Sequence, residues 1–194
     1  ISFDMHDDLG SGLTRISYLS QMAMNKSGHT HELEKIKNTS QELVGNMSEL
    51  IWAMKAENDN LPDMLGYLKQ YAFEYLGGQN VNVSFHMPEG VVDRTVLGEK
   101  RRNMFLVYKE ALHNIAKHAG AQNVSIALRV DTHLHIDITD DGQGFDPENP
   151  DAATGNGLRN MHMRTRRLQG EMRIHAVPGK GVGLHFSFPL HGLS

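Results

Sequence analysis

Asp137-Ile138-Thr139-Asp140-Asp141-Gly142-Gln143-Gly144-Phe145 (DITDDGQGF) joins a strand to a glycine turn through two carboxylates. Leu134 to Thr139 alternates apolar and polar residues, the mark of a strand with one buried face. A carboxylate at the strand's end accepts hydrogen bonds, including from an exocyclic amine. The glycines let main chain approach a ligand closely. Taken alone, an Asp-Gly-rich segment is a turn, so its meaning depends on what flanks it.

Upstream lies Lys109 to Ala121 (KEALHNIAKHAGA), most of it within an amphipathic stretch that predicts one long helix from Gly98 to Ala119. Glu110, Asn114, Lys117 and His118 fall at i, i+4, i+7 and i+8, one stripe of that helix. Glu and Asn offer hard oxygen ligands for Mg²⁺, and Lys and His offer donors to phosphate oxygens. On an isolated helix such a stripe reads as a solvated face opposite Leu106, Ala111, Leu112 and Ile115. Downstream, Gly155 to Arg164 (GNGLRNMHMR) places Gly-x-Gly before a helix predicted over Gly157 to Gln169. Exposed N–H groups and the positive end of the dipole make such a start a phosphate cradle. Each signal is weak; three in order, with regular elements between them, are much stronger.

The remaining texture fits around them. Asp63 to Leu76 predicts a helix stopped by Gly77-Gly78, and Val81 to Met87 a strand. Val124 to Val130 and Leu134 to Thr139 predict a hairpin about Asp131-Thr132. Glu171 to Val177 and Val182 to Pro189 predict another across Pro178 to Gly181, and Asp141 to Asn156 is a loop. Hairpins mixed with helices predict an α+β fold, a sheet with helices on one face.

The first part of the chain differs. Ser2, Met5, Leu9, Gly12, Ile16, Leu19 and Ala23 step by three and four, as do Leu33, Ile36, Ser40, Leu43, Met47, Leu50 and Met54. Asn25 to Gly28 separates the two runs, which predicts an antiparallel helical hairpin. One narrow seam buries little, so two copies are expected to form a four-helix bundle and hence a homodimer. Glu57 to Pro62 is a polar boundary, dividing the chain into domains at 1–58 and 59–194. In Phe3 to Gly10 (FDMHDDLG), three carboxylates crowd His6, which sits on the flank of the seam, anchored at its base and reachable from solvent.

Composition narrows the function classes. The 194 residues suffice for a sizeable core. A net charge of −4 gives no case for nucleic acid or an anionic membrane. The absence of cysteine excludes disulfides and thiolate zinc sites, and fits a reducing compartment. No apolar run approaches a membrane span. The pairs His29/His31 and His133/His135 lack a third ligand nearby in sequence and read as surface histidines.

Asn114, DDGQGF and GNGL resemble the N, D and G boxes of the GHKL ATPases, the superfamily of gyrase, the heat-shock chaperone, histidine kinases and the mismatch-repair ATPase. MHDDLGSGL resembles the phosphoacceptor box of sensor histidine kinases, in the subfamily with His-Asp in that box and LuxR-type response regulators as partners. The resemblance runs from His6 to Pro189. It implies a GHKL sandwich after the helical hairpin and a protein-histidine kinase using ATP and Mg²⁺. His6 would take the γ-phosphoryl group and Asp7 would activate it. Asp140 would accept the adenine amino group, with Gly142 and Gly144 lining the base pocket. Asn114 would ligate Mg²⁺, Glu110 would position metal or act as a base, and Lys117 and His118 would meet phosphates. Gly155, Gly157 and Leu158 would flank a short lid, Asp146 to Asn156. The resemblance further implies a cytoplasmic kinase core, with a sensor or membrane anchor upstream. Three positions depart from the pattern: Ser11, where the subfamily has Gln or His; His162-Met163-Arg164, for Arg-Glu-Arg; and Val182, for Thr. Two other classes fit parts of the pattern, a nucleotide-binding interaction module and an anti-sigma-type GHKL serine kinase.

Overall fold

The structure, a computed structural model, describes residues 15–16, 18–20, 22–23, 33–36, 39–40, 59–91, 93–146 and 156–190. The chain divides into two compact units, Ile1–Lys55 and Ala56–Ser194. In the first, every described residue is helical, and Leu19 and Ala23 are buried. His6, Asp7 and Ser11, with the loop between the predicted helices, lie outside the described residues.

The second unit begins with α1, Leu61–Gly77. It starts two residues earlier than the sequence reading because Pro62 belongs to its first turn, where a missing N–H costs nothing. Asn60 caps it, its Oδ1 accepting from the Asp63 N–H at 2.8 Å. Strand β1, Asn82–His86, follows, and then α2, Gly98–Asn114. The predicted long helix over Gly98–Ala119 is present with a change of pitch: α2, Gly98–Asn114, continues directly into a π turn, Ile115–Ala119, closed by Gly120 in the left-handed region. Strands β2, Asn123–Val130, and β3, His133–Asp140, form the first expected hairpin. Helix α3, Asn156–Arg167, precedes the second, β4, Glu171–Ala176, with β5, Val182–Pro189.

The five strands form one mixed sheet in the order β1-β2-β3-β5-β4. Strand β1 runs parallel to β2, which requires the α2 crossover, and every other pairing is antiparallel. Alternation sets the two faces. Val124, Ile126 and Leu128 of β2, Leu134, Ile136 and Ile138 of β3, and Leu184, Phe186 and Phe188 of β5 are buried under the helices. Each such side chain contributes roughly 1.5–3 kcal/mol on burial. From the helices come Leu65, Leu68 and Ala72 of α1, Met104, Phe105 and Tyr108 of α2, and Met161 of α3. The buried Tyr108 hydroxyl donates to the Leu68 carbonyl at 3.0 Å, so no polar atom is stranded there. The opposite face is polar: Asp137 accepts from Arg129 at 3.1 Å and contacts His185 Nδ1 at 2.6 Å. His133 and His135 lie on that face, their rings 5.9 Å apart. His29 and His31 lie outside the described residues.

Candidate functional site

Strand β3 delivers Asp140 to the buried face at the end of the sheet. Inward residues recur every second position (Leu134, Ile136, Ile138), so Asp140 inherits the apolar side while carrying a carboxylate. It is only 4% exposed. Its Oδ1 accepts from the Gly142 N–H at 2.9 Å, and the carboxylate also accepts from the Val182 N–H. Burial pushes its pKa up, these two donors pull against that, and neighbouring Asp141 adds to the rise.

Around Asp140 opens a cavity of about 400 Å³, lined by Ala111, Asn114, Ile115, His118, Ala119, Asp140, Gln143, Gly144, Phe145, Gly157, Leu158, Ile174, Val182 and Leu184. Its size suits a small organic ligand. Asn114, His118, Asp140, Gly144, Gly157 and Leu158, scattered over 45 positions of the chain, thus reach one space. Lys117 is exposed and is not part of the lining. Gly142 lies buried beneath the turn rather than in the lining, and Gly155 falls outside the described residues.

The glycine turn fits tightly against its neighbours. A β-carbon on Gly144, whose φ is +59°, would stand 2.1 Å from the Val177 carbonyl oxygen. One on Gly181 would stand 1.9 Å from the Asp140 carbonyl oxygen. The β4–β5 turn is therefore seated on the turn that follows Asp140.

At the other end, Glu110 and Asn114 converge on the first turn of α3. A β-carbon on Gly157 would lie 2.3 Å from Glu110 Oε1 and 3.4 Å from Asn114 Nδ2. Among the described residues no three His, Cys, Asp or Glu side chains gather as a metal site. One carboxylate and one amide are a donor set suited to Mg²⁺ that keeps waters and shares phosphate oxygens.

Sequence reasoning missed the apolar half of this cavity: Ala111, Ile115, Phe145, Ile174 and Leu184. Their only signal was hydrophobicity, which core and pocket walls share. Ile174 is 37% exposed, on the edge strand β4.

Residues 99–192 match the family described as histidine kinase-, DNA gyrase B-, and HSP90-like ATPase. They form a GHKL-type ATPase domain. The chain is 24% identical over 192 residues to the sensor histidine kinase YhcY of Bacillus subtilis, covering 96% of this chain and 48% of YhcY. It is 26% identical over 196 residues to the sensor histidine kinase LnrJ of the same organism, covering 96% and 46%. The chain spans about half the length of these curated relatives. Among solved structures, the Acinetobacter baumannii histidine kinase AdeS superposes with a TM-score of 0.61 at 16% identity, covering 96% of this chain and 98% of that one. The histidine kinase domain of the Erythrobacter litoralis EL346 blue-light activated histidine kinase gives 0.57 at 17%, covering 93% and 94%. At these identities the structural likeness speaks to fold. The cavity between β3, the π turn and α3 is the GHKL-type domain's own.

Proposed function

We propose that the chain is the kinase core of a two-component sensor histidine kinase. It binds ATP with Mg²⁺ in this cavity, phosphorylates itself on His6, and passes the phosphoryl group to an aspartate of a LuxR-type response regulator. The observation that carries this reading is the convergence of Asp140, Asn114, His118 and Gly157 on one cavity. Similarity to sensor kinases over 96% of the chain supports extending it to the first unit.

In this reading Asp140 accepts the adenine amino group at the apolar end, with Gly142 and Gly144 framing the base. Asn114 would hold Mg²⁺, which would supply positive charge against the phosphates, and Glu110 would position the metal or act as a base. His118 and Lys117 donate to phosphate oxygens, and Gly155, Gly157 and Leu158 open α3 toward them. Autophosphorylation forms a bond between an imidazole nitrogen of His6 and the γ-phosphorus while the bond to the β–γ bridging oxygen breaks, releasing ADP. Asp7 takes the imidazole N–H proton. Protein groups here position and neutralise rather than react, as phosphoryl transfer requires. The first unit supplies a helical hairpin that dimerises as a four-helix bundle, and the core works in the cytoplasm. No helix among the described residues is long and apolar enough to cross a membrane.

Incubation with γ-labelled ATP and Mg²⁺ tests the proposal. Label that is acid-labile and absent from His6→Gln is expected. Acid-stable label would indicate a serine kinase, and nucleotide binding with no label would indicate an interaction module.

A further inference from the structure

The carboxylate of Asp140 faces the cavity, but its neighbour Asp141 turns the other way. Asp141 Oδ1 accepts from the N–H groups of Gln122 and Asn123 at 2.8 and 2.9 Å, and its Oδ2 from Asn123 Nδ2 at 2.7 Å. Two residues on, Gln143 Nε2 donates to the His118 carbonyl at 2.6 Å, and the Gln143 N–H donates to the Ala119 carbonyl at 2.8 Å. Between them Gly142 lies so close that a β-carbon would stand 2.3 Å from the Ala119 oxygen. Gln143's partners, His118 and Ala119, end the π turn, and Asp141's partners, Gln122 and Asn123, carry the chain from it into β2. A helix end leaves its last carbonyls without partners in the helix, and a π turn is an unusual helix end to hold. Here the turn after Asp140 supplies the donors, and a carboxylate gathers the N–H groups that follow.

We propose that Asp141 and Gln143 are positioning residues. They clamp the π-turn exit, so that the base-reading end of the cavity at Asp140 and the metal- and phosphate-binding end at Asn114 and His118 are held as one piece. This rests on the nucleotide reading above for its consequence, while the clamp itself stands on the hydrogen bonds. The carboxylate is the stronger half. Its bonds are charge-assisted, and the Asn123 N–H is the chief cause holding its pKa below the usual range. The Gln143 side chain is exposed and adds less. Neither side chain need touch the metal: each acts through the main chain that carries Asn114 and His118.

Two measurements separate the clamp from the nucleotide reading. The first is amide hydrogen exchange over residues 115–123 without nucleotide, in wild type, Asp141→Ala and Asp141→Asn. Exchange at least tenfold faster in Asp141→Ala, with Asp141→Asn close to wild type because its amide oxygen still accepts, is expected. Unchanged exchange in Asp141→Ala overturns the clamp whatever the protein binds. The second is the gain in ATP affinity on adding Mg²⁺, measured by calorimetry for wild type, Asp141→Ala and Gln143→Met. That gain should shrink about fivefold or more in Asp141→Ala and less in Gln143→Met. Equal gains in all three overturn the coupling. Absence of any ATP binding by wild type would overturn the nucleotide reading and the coupling with it, leaving the exchange result to decide the clamp. Should Asp141→Ala fail to fold, exchange over residues 115–123 and the Mg²⁺-dependent gain, both measured on Gln143→Met, decide instead: faster exchange and a smaller gain are expected, and wild-type values of both overturn the proposal.

Discussion

Gly157 meets Glu110 with no room for a side chain: a β-carbon there would lie 2.3 Å from Oε1. The clash is with the tip of a flexible side chain, so the fold can absorb it. Alanine is also preferred over glycine in a helix by about 1 kcal/mol. Gly157→Ala should therefore leave thermal stability unchanged or slightly raised, while pushing Glu110 out of place and narrowing the mouth toward the phosphates. A misplacement of about 1 Å at a reacting centre can cost about a hundredfold in rate. Labelling from ATP in Gly157→Ala should fall by that order, with an unfolding curve no worse than wild type.

Asp140 gives nucleotide binding a pH dependence of definite sign. Its folded-state pKa is raised above the ordinary 3.8, chiefly by burial. The free protein thus loses stability as pH rises through the window between the ordinary and the raised value, because the folded state there holds a proton that the unfolded state has released. A ligand amine needs the carboxylate, so ATP affinity should fall as pH drops into the same window, and binding there should release a proton. Asp140→Asn should lose about 1.5–3 kcal/mol of affinity at neutral pH and show no such pH dependence. Calorimetry in buffers of different ionisation enthalpy measures both.

Arg101 is fully buried in α2 and ion-paired with Asp59, the residue before the cap of α1. Asp59 is also fixed through its carbonyl, which accepts from the Val96 N–H at 3.0 Å. Removing one partner of a buried pair leaves a charge poorly compensated, typically at about 3–5 kcal/mol. Asp59→Ala should be destabilised toward that range, and Asp59→Ala with Arg101→Met should recover part of it. Urea unfolding of the two single variants and the double variant yields the coupling.

His113, one residue before Asn114, turns from the cavity toward α1. Its Nε2 lies 3.3 Å from the Tyr71 hydroxyl, and Tyr75 stacks on its ring at 4.5 Å. Burial, with Lys109 and Lys117 adding to it, holds its pKa down at about 4. Unfolded chain takes up a proton below about 6.5 and the folded protein does not until about 4, so this residue makes stability fall as pH drops between those values. His113→Phe keeps the stacking and removes the titration. Its stability profile over that range should be flatter than wild type, as thermal unfolding at stepped pH would show.

What the sequence determined by itself was local. Alternation in Leu134 to Thr139 and Val182 to Pro189 placed β3 and β5, because a half-buried strand has a period of two. Turn residues at Asp131-Thr132 and Pro178 to Gly181 paired β2 with β3 and β4 with β5. Asn114, Asp140, Gly144 and Gly157 could be singled out together because three short motifs stood in order with regular elements between them, and all four line one cavity. Tertiary structure alone decided the rest. The parallel pairing of β1 with β2, and β5 lying between β3 and β4, depend on which edges meet after the chain has crossed over, which no local period encodes. The change from α to π pitch after Asn114 was invisible because i→i+4 and i→i+5 bonding suit the same residues, and Gln143, which donates to the turn's last carbonyls, lies more than twenty positions away. His118 lies in the cavity lining and Lys117 does not. Ile174 and Leu184 line a cavity rather than packed core because no side chain among the described residues fills the space before them.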